Sequence, residues 1–527
     1  MTSLGRRSFL GLTAGSAVAG SLFVTTGCDS AVDQAKAGAG AAGTPRRGGR
    51  INTGINTDVV PGNFFTNSSA GVTTIVGLAY ESLIRYPNDK VEPTPRLATG
   101  WELGADGRSL ALDLREGVTF HDGRPFTSAD VKASIAAYAD PLWNGQLKST
   151  AAAISKVDTT DPQRAVLHFD HPLSNVFDLL DTAPIIDSRT LDKIKTGEAF
   201  VGTGPFKVTK WTPNTGITFD RHEGYWQPER PYVDGVDTRV IPDPKALLSA
   251  LRSGQVDYAN GLGYRDIDTL TAKGDFAKIT WEGAEQQIYV GANVTAGSLK
   301  DARVRQAIAY AVDRDRIVTE VLRGAGYAIN LPWPKYSPAY DAQANTTYVR
   351  DVAKAKALVA EVGQIETIPY TYSSASPLLE ATAAIVQSNL AEVGITVELD
   401  PVDQAQFVSR LIGAKFAGIW SAFHSWAQYT PSTLSVSAYP FNARKNASRY
   451  VSPGYLQHAD AAWTQTDGQS AAARAAYGKL STDLLDALFL IELAVVFPEV
   501  VTTKRLQGTG WTKRAEVQLT DAWLGGS

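Results

Sequence analysis

Apolar residues recur at helical spacing in some stretches of the chain and alternate with polar ones in others. Val72, Ile75, Val76, Ala79 and Leu83 share one face of a helix predicted over 72–83. Val304, Ala307, Ile308, Ala311 and Val312 mark an amphipathic helix from 301, and 352–362 a second one stopped by Gly363. Alternation in Leu110-Ala111-Leu112-Asp113-Leu114 and in 165–169 predicts strands, and Gly48–Gly54 reads as the first strand. Between the first two strands lie the turn His121-Asp122-Gly123-Arg124-Pro125 and a helix capped at Thr127 that runs to Tyr138. Gly202-Thr203-Gly204-Pro205 turns into a strand over 206–211, with 217–221 as its antiparallel partner. Pro244 opens a helix that ends before Gly254, and 256–259 is a short strand. A strand at 368–372, a helix at 377–393 and a strand at 395–399 make a unit that normally gives parallel strands. Residues 471–490 read as a late helix and 495–502 as a late strand. The order is α/β with some antiparallel pairs, and about 480 residues exceed what one core supports, so more than one lobe is expected.

The first 28 residues follow a different pattern. Arg6-Arg7 precedes the uncharged, mostly small or apolar stretch 10–26, which ends at Gly27-Cys28. A basic start, a short apolar core and small residues at the processing point describe an export signal, and twin arginines point to the folded-protein route. The run falls short of the ~20 strongly apolar residues that span a bilayer. Its ending resembles a bacterial lipoprotein signal, which makes Cys28 the acylated first residue of the mature chain, although Thr25 stands where such signals usually carry Leu. Residues 28–47 then read as a flexible Ala/Gly-rich tether. Cys28 is the single cysteine, so acylation leaves no thiol for a disulfide, a nucleophile or a zinc site.

Charge narrows the partners. The chain carries 50 Lys+Arg against 54 Asp+Glu, and loss of Arg6 and Arg7 with the signal makes it slightly more acidic, which argues against nucleic acid. Catalytic motifs are missing: there is no Gly-x-Ser-x-Gly, His-Glu-x-x-His, Walker loop or Gly-x-Gly-x-x-Gly. His168 and His171 flank a strand end and do not converge as a metal pair, and nothing calls for a cofactor.

Several separated segments then carry a resemblance. They are Tyr80-Glu81-Ser82-Leu83, Pro95-Arg96-Leu97-Ala98-Thr99-Gly100-Trp101-Glu102, the stretch from Leu114 to Gly123 and Thr127-Ser128-Ala129-Asp130-Val131, followed by Gly202-Thr203-Gly204-Pro205-Phe206, Tyr225-Trp226 and the stretch from Asp301 to Arg314. Together they resemble the family 5 extracytoplasmic solute-binding proteins of the oligopeptide, dipeptide and nickel type, which deliver ligands to ABC importers. The resemblance implies a bilobal periplasmic-binding-protein fold (type II, hinge-closing) with an extra inserted domain. Lobe I would comprise 48–85, 202–292 and 496–527, the inserted domain II 86–201, and lobe III 293–495. Crossings near 292 and 495 would form the hinge, with Arg303 and Arg305 making ion pairs between domains beside it. The protein would be a non-enzymatic monomer, lipid-anchored on the outer face of the bacterial cell membrane, that passes its ligand to permease subunits.

The candidate site follows from the same resemblance. Peptide-binding relatives place a Trp-x-x-Asp-Tyr-like segment where this chain has 420–431, and that aspartate captures the ligand's ammonium. Here no acid lies between Lys415 and Pro431. Trp420, Phe423, His424, Trp426, Gln428 and Tyr429 take its place, which favours a neutral aromatic or glycosidic compound or a modified peptide over a free oligopeptide or dipeptide. By position Tyr258, Asn260 and Tyr264 would line the lobe I side, with Asn63, Phe64 and Ser69 from its first loop and Trp143 from domain II. An exported, tethered hydrolase and a sensor without transport are the other readings.

Overall fold

Three sheets organise the chain, here described from a computed structural model that covers residues 44–526 apart from 67–68, 144, 146 and 426–428. Cys28 and most of the tether, with Trp426 and Gln428, therefore lie outside the described residues. Among the described residues no helix is long and apolar enough to cross a membrane.

The seven-stranded sheet runs in the order Phe276–Thr280, Glu499–Thr503, Tyr258–Asn260, Arg50–Ile55, Gly235–Val240, Gly216–Arg221 and Phe206–Thr212. Its middle strand, Arg50–Ile55, is parallel to both neighbours, and the last two strands form the antiparallel pair expected from their spacing. The six-stranded sheet runs Gly326–Ala328, Leu490–Val496, Gln286–Ala292, Ile419–His424, Ile368–Ser373 and Val397–Val402. Its last two strands pair in parallel across the helix Pro377–Glu392. A four-stranded antiparallel sheet, Ala98–Leu103, Ser109–Leu114, Arg164–Phe169 and Ile154–Asp161, is inserted in sequence between two strands of the seven-stranded sheet, Arg50–Ile55 and Phe206–Thr212.

Helix starts follow local chemistry. Asp243, Ser376 and Ser452 each precede a proline, and each side chain accepts a hydrogen bond from a backbone amide in the first turn. Thr127 and Asp130 form a capping box at the start of Ser128–Ala139. The helix predicted over 72–83 spans Ala70–Ala79, because Ser69 caps it earlier and the turn at Gly202-Thr203-Gly204 packs against its end. A Cβ at Gly202 would stand 2.1 Å from the Ala79 carbonyl oxygen, which explains why a residue without one occupies this turn. His121 bolts the same place. Its Nε2 donates to Gly204 O at 3.1 Å, its Nδ1 accepts from Gly202 N at 3.3 Å, and burial pushes its pKa down to about 3, so the ring is neutral.

Two expectations fail near the end of the chain. The helix Ala471–Ala487 stops earlier than 490, with Leu488 in the left-handed region. The residues read as the start of one late strand belong to two. Leu490–Val496 lies in the six-stranded sheet and Glu499–Thr503 in the seven-stranded sheet, with Phe497-Pro498 between them. All seven residues of Leu490–Val496 are buried, so no polar face alternates to reveal a strand. The other crossing is also displaced. Gln286–Ala292 pairs with Ile419–His424 and Leu490–Val496, which puts the passage between sheets at 281–285 and not near 292. Among the described residues Arg303 and Arg305 make no ion pairs between domains: Arg303 pairs with neighbouring Asp301, and buried Arg305 donates to the carbonyls of Ala487 and Leu299.

Separate apolar cores cover the faces of these sheets. Ile288, Val290, Ile491 and Leu493 are fully buried on one face of the six-stranded sheet, each burial contributing about 1.5–3 kcal/mol. Tyr289, Trp420 and Leu490 pack on the other.

Candidate functional site

The second face of the six-stranded sheet turns polar toward the hinge. Gln287 stands opposite His424 in register and Tyr289 opposite Ala422, while Glu492 pairs with Tyr289 from the other side. Because side chains alternate along a strand, Gln287, Tyr289, His424 and Glu492 share one face. Each is at least 95% buried. His424 Nε2 lies 3.1 Å from Glu492 Oε1, and the Phe441 ring covers the imidazole edge-on at 4.7 Å. Five polar atoms of this group have no hydrogen-bond partner among the described residues: both amide atoms of Gln287, the Tyr289 hydroxyl, His424 Nδ1 and Glu492 Oε2. A buried polar atom left unpaired costs about 1–3 kcal/mol, so such a concentration marks a place where a bound molecule completes the hydrogen bonding.

A second polar group adjoins the first through the chain at 285 and 429. Glu285 lies two residues before Gln287; the Tyr336 hydroxyl faces it, and burial raises its pKa. Lys513 stands over the Tyr336 ring at 3.9 Å, donates to Asn88 O at 2.8 Å, and has its pKa lowered to about 8 by burial. Next to it, Arg514 donates through Nη2 to Glu516 Oε2 at 2.8 Å and forms an ion pair with Glu516 Oε1 at 2.6 Å, an oxygen left without a hydrogen bond among the described residues. Burial opposes its charge, but Glu516 and Asp181, with smaller contributions from Tyr429 and Tyr138, more than offset that and hold the pKa above its usual value. Its Nε and Nη1 make no hydrogen bond, although the side chain is 6% exposed.

The expected site residues separate into groups on this frame. His424 belongs to the polar face, with Trp420 stacked on Phe416 at 4.4 Å further along the same strand and Phe423 turned to the opposite core. Tyr429 is buried beside Tyr86, 6.5 Å between rings, and burial holds its hydroxyl far above the usual pKa. Tyr264 reaches the hinge, donating to Phe497 O at 2.9 Å. Tyr258 and Phe64 sit in the apolar core of the seven-stranded sheet, and Trp143 packs there on Phe65 at 4.7 Å. Ser69 caps a helix, Asn260 ends a strand and Asn63 is exposed. The structure thus brings His424 and Tyr429 to the polar groups and leaves Phe64, Tyr258 and Trp143 as packing. The sequence reading missed Glu492, Gln287, Glu285 and Arg514; of these Glu492 and Glu285 are acids, which 415–431 lacks. Glu492 carried one visible signal, a lone carboxylate inside the apolar run Leu490-Ile491-Glu492-Leu493-Ala494-Val495-Val496.

The domain contact beside this site is polar and buried. Asp178, from the helix Val176–Thr182, accepts hydrogen bonds from the Tyr86 hydroxyl at 2.9 Å, Thr430 N at 3.2 Å, the Thr430 hydroxyl at 3.0 Å and the Thr433 hydroxyl. Asn175 donates to Thr433 Oγ1 at 2.9 Å, and the Ser174 and Ser432 hydroxyls meet at 2.8 Å. A groove of about 250 Å³ borders this clasp, lined in part by Tyr86, Phe177, Thr430 and Gln469. It lies outside the group of unpartnered atoms. Among the described residues no cluster of three or more His, Cys, Asp or Glu could hold a metal ion.

Two large sheets are joined by two crossings, with buried polar groups beside them. The chain belongs to the bacterial extracellular solute-binding proteins, family 5, whose model matches residues 92–446. It has the periplasmic-binding-protein fold, and its family is one of solute-binding proteins, not enzymes. It is similar to the glutathione-binding protein GsiB of Escherichia coli (strain K12), 27% identical over 346 residues, 63% of this chain and 66% of that protein. The match therefore spans slightly less than two thirds of that relative's length. Among solved structures, the binding protein AgaA in complex with agropinic acid, from Agrobacterium (A.tumefacien R10), aligns with a TM-score of 0.79 at 24% identity, over 91% of this chain and 99% of that one. The oligopeptide-binding protein AppA of Bacillus subtilis, in complex with a nonapeptide, aligns with a TM-score of 0.78 at 21% identity, over 92% and 100%.

Proposed function

We propose that this chain is the substrate-binding component of an ABC importer, which encloses a peptide or small solute between its lobes and hands it to permease subunits. The observation that supports this most is the set of buried polar atoms without partners on Gln287, His424, Glu492 and Arg514. Of the relatives above, one is a glutathione-binding protein and two are solved in complex with agropinic acid and with a nonapeptide, in keeping with a peptide or small polar solute. Read alone, the 420–431 segment favours a neutral aromatic or glycosidic compound or a modified peptide. Glu492 beside His424 returns a carboxylate to that place and reopens the binding of charged solutes, free peptides included.

The mechanism is a shift from open to closed, driven by ligand contacts that exist only when both lobes meet. Protein lacking residues 1–28, stripped of ligand and then saturated with the compound recovered from it, is expected to become more compact in small-angle scattering. Unchanged dimensions would remove hinge closure from the account. Export through the twin-arginine signal and acylation of Cys28 would hold the monomer at the outer face of the cell membrane. A Cys28→Ser variant is then expected in the soluble fraction, and its retention in membranes would refute the anchor.

A further inference from the structure

We propose, resting on the solute-capture reading, that the clasp of Ser174, Asn175 and Asp178 on Ser432, Thr433 and Trp463 is a latch: it holds the lobes closed through bonds that need no ligand, and so sets how long any captured solute stays. The two sides of the clasp belong to different sheets. Ser174, Asn175 and Asp178 follow the four-stranded sheet, which is inserted between two strands of the seven-stranded one, Arg50–Ile55 and Phe206–Thr212. Ser432, Thr433 and Trp463 lie between Ile419–His424 and Leu490–Val496 of the six-stranded sheet. The chain passes between the two large sheets at 281–285 and 497–498, whereas the clasp pairs Ser174 with Ser432 and Asn175 with Thr433, each 258 residues apart. A swing of one large sheet away from the other about those crossings would part the clasp.

The clasp is complete as it stands. Asn175 is used at both ends of its amide: Nδ2 donates to Thr433 Oγ1 and to Thr150 Oγ1, each at 2.9 Å, and Oδ1 accepts from Trp463 Nε1 at 2.8 Å. The Ser174 amide donates to Trp463 O at 2.9 Å, and its hydroxyl donates to Ala462 O at 3.0 Å and meets the Ser432 hydroxyl at 2.8 Å. The His171 ring stands edge-on to Trp463 at 5.1 Å. Asn175, Asp178, Ser432 and Thr433 are fully buried, and none of the buried side-chain polar atoms of these residues lacks a partner. Gln287, His424 and Glu492 are the opposite case, since their unpartnered atoms await a bound molecule. Closure thus draws on two sources, one supplied by the solute and one that is the same for every solute. A weaker latch leaves fewer chains able to stay closed, so affinity for all solutes falls by one common factor, and release changes more than capture.

The test uses the chain from residue 28 with Cys28→Ser, which has no thiol, and a small-molecule extract of the producing cells as probe. Ser174→Cys/Ser432→Cys places two thiols where hydroxyls lie 2.8 Å apart, close to the ~2 Å of a disulfide. Loaded from the extract and then oxidised with diamide, this variant is expected to keep its captured mass through washing in native mass spectrometry. Once reduced, it should lose that mass at least 10-fold faster. Oxidised while empty, it is expected to capture nothing. Ser432→Ala/Thr433→Val breaks the latch with little change of shape, and should bind every captured compound about 10-fold more weakly, through faster release. Thermal melting confirms that each variant is folded. Failure of the two thiols to join in the folded protein, equal release from the oxidised and reduced forms, or unchanged affinity in Ser432→Ala/Thr433→Val would overturn the latch and leave solute capture intact. Capture of nothing by the chain with both serines in place would overturn solute capture and this inference with it.

Discussion

Glu81→Ala is expected to destabilise the folded chain by about 3–5 kcal/mol, the usual cost of stranding one member of a buried ion pair. The Glu81 carboxylate is 1% exposed and pairs with Arg96 at 2.6 Å. It also accepts from Trp226 Nε1 at 2.7 Å, the Tyr225 hydroxyl at 3.0 Å and the Thr203 hydroxyl at 3.4 Å. Removing it leaves a largely buried guanidinium and three donors without an acceptor. With an unfolding entropy of about 2 cal/mol/K per residue, a chain of this size should lose roughly 3–5 °C in Tm. Differential scanning calorimetry at fixed pH reads this directly. Glu81→Gln, which keeps an acceptor but not the charge, should lie between the two. An unchanged Tm in the alanine variant would show that water replaces the carboxylate and that the hub is not structural.

The second large effect concerns pH and Asp178. Burial raises its pKa to about 7, against which the bonds from Thr433, Tyr86 and Thr430 work in part, while Asp181 adds to the rise. Tyr86, Asp181 and Tyr477 are the other titratable groups that act on or feel it. If opening the clasp lets water reach the carboxyl, its pKa returns toward about 3.9. The clasped state then binds the proton more tightly. Its advantage is fully present below about pH 4, declines as pH rises toward 7, and is flat above that. Affinity for the recovered ligand is therefore expected to drop about 10- to 100-fold between pH 5 and pH 8 in wild type, and to change much less in Asp178→Asn. Isothermal titration of the two proteins side by side isolates this group from titration of the ligand. Parallel pH profiles would remove Asp178 from control of closure.

The sequence segments that carried the family resemblance turn out to share a physical reason. Tyr80-Glu81, Arg96, Gly202-Thr203-Gly204 and Tyr225-Trp226 are far apart in the chain yet meet around one buried carboxylate. Arg115 adds its guanidinium over the Trp226 ring at 4.1 Å. Arg124, from the His121-Asp122-Gly123 turn, bridges Asp130 and Asp187 in the same way. These residues are legible because a buried charge tolerates few replacements for its partners. Helix starts were legible for a local reason, since a cap and the proline after it act within one turn. The site was not, because it depends on register. Gln287 faces His424, and Glu492 faces Tyr289, only through strand pairings across 130 to 200 residues of sequence. No periodicity within 420–431 could reveal that an acid arrives from another strand. The aromatic residues there drew attention by type, and Trp420 proved to be a stacked core ring.

The two crossings between the sheets lie side by side. Phe276–Thr280 pairs with Glu499–Thr503 on one side of them and Gln286–Ala292 with Leu490–Val496 on the other. Trp281 N donates to Pro498 O at 2.8 Å in between, so the ladder is tied across the gap. Mechanically this is a double-pinned door. A paired ribbon flexes across its width at little cost, whereas sliding one strand past the other breaks its hydrogen bonds. Under the proposed closure the lobes would be held to a single axis of swing, and each closing stroke would deliver the same residues to the same positions. Recognition can then depend on the length of the captured molecule as well as on its charges, because a guest too long or too short would stop the swing at the wrong angle.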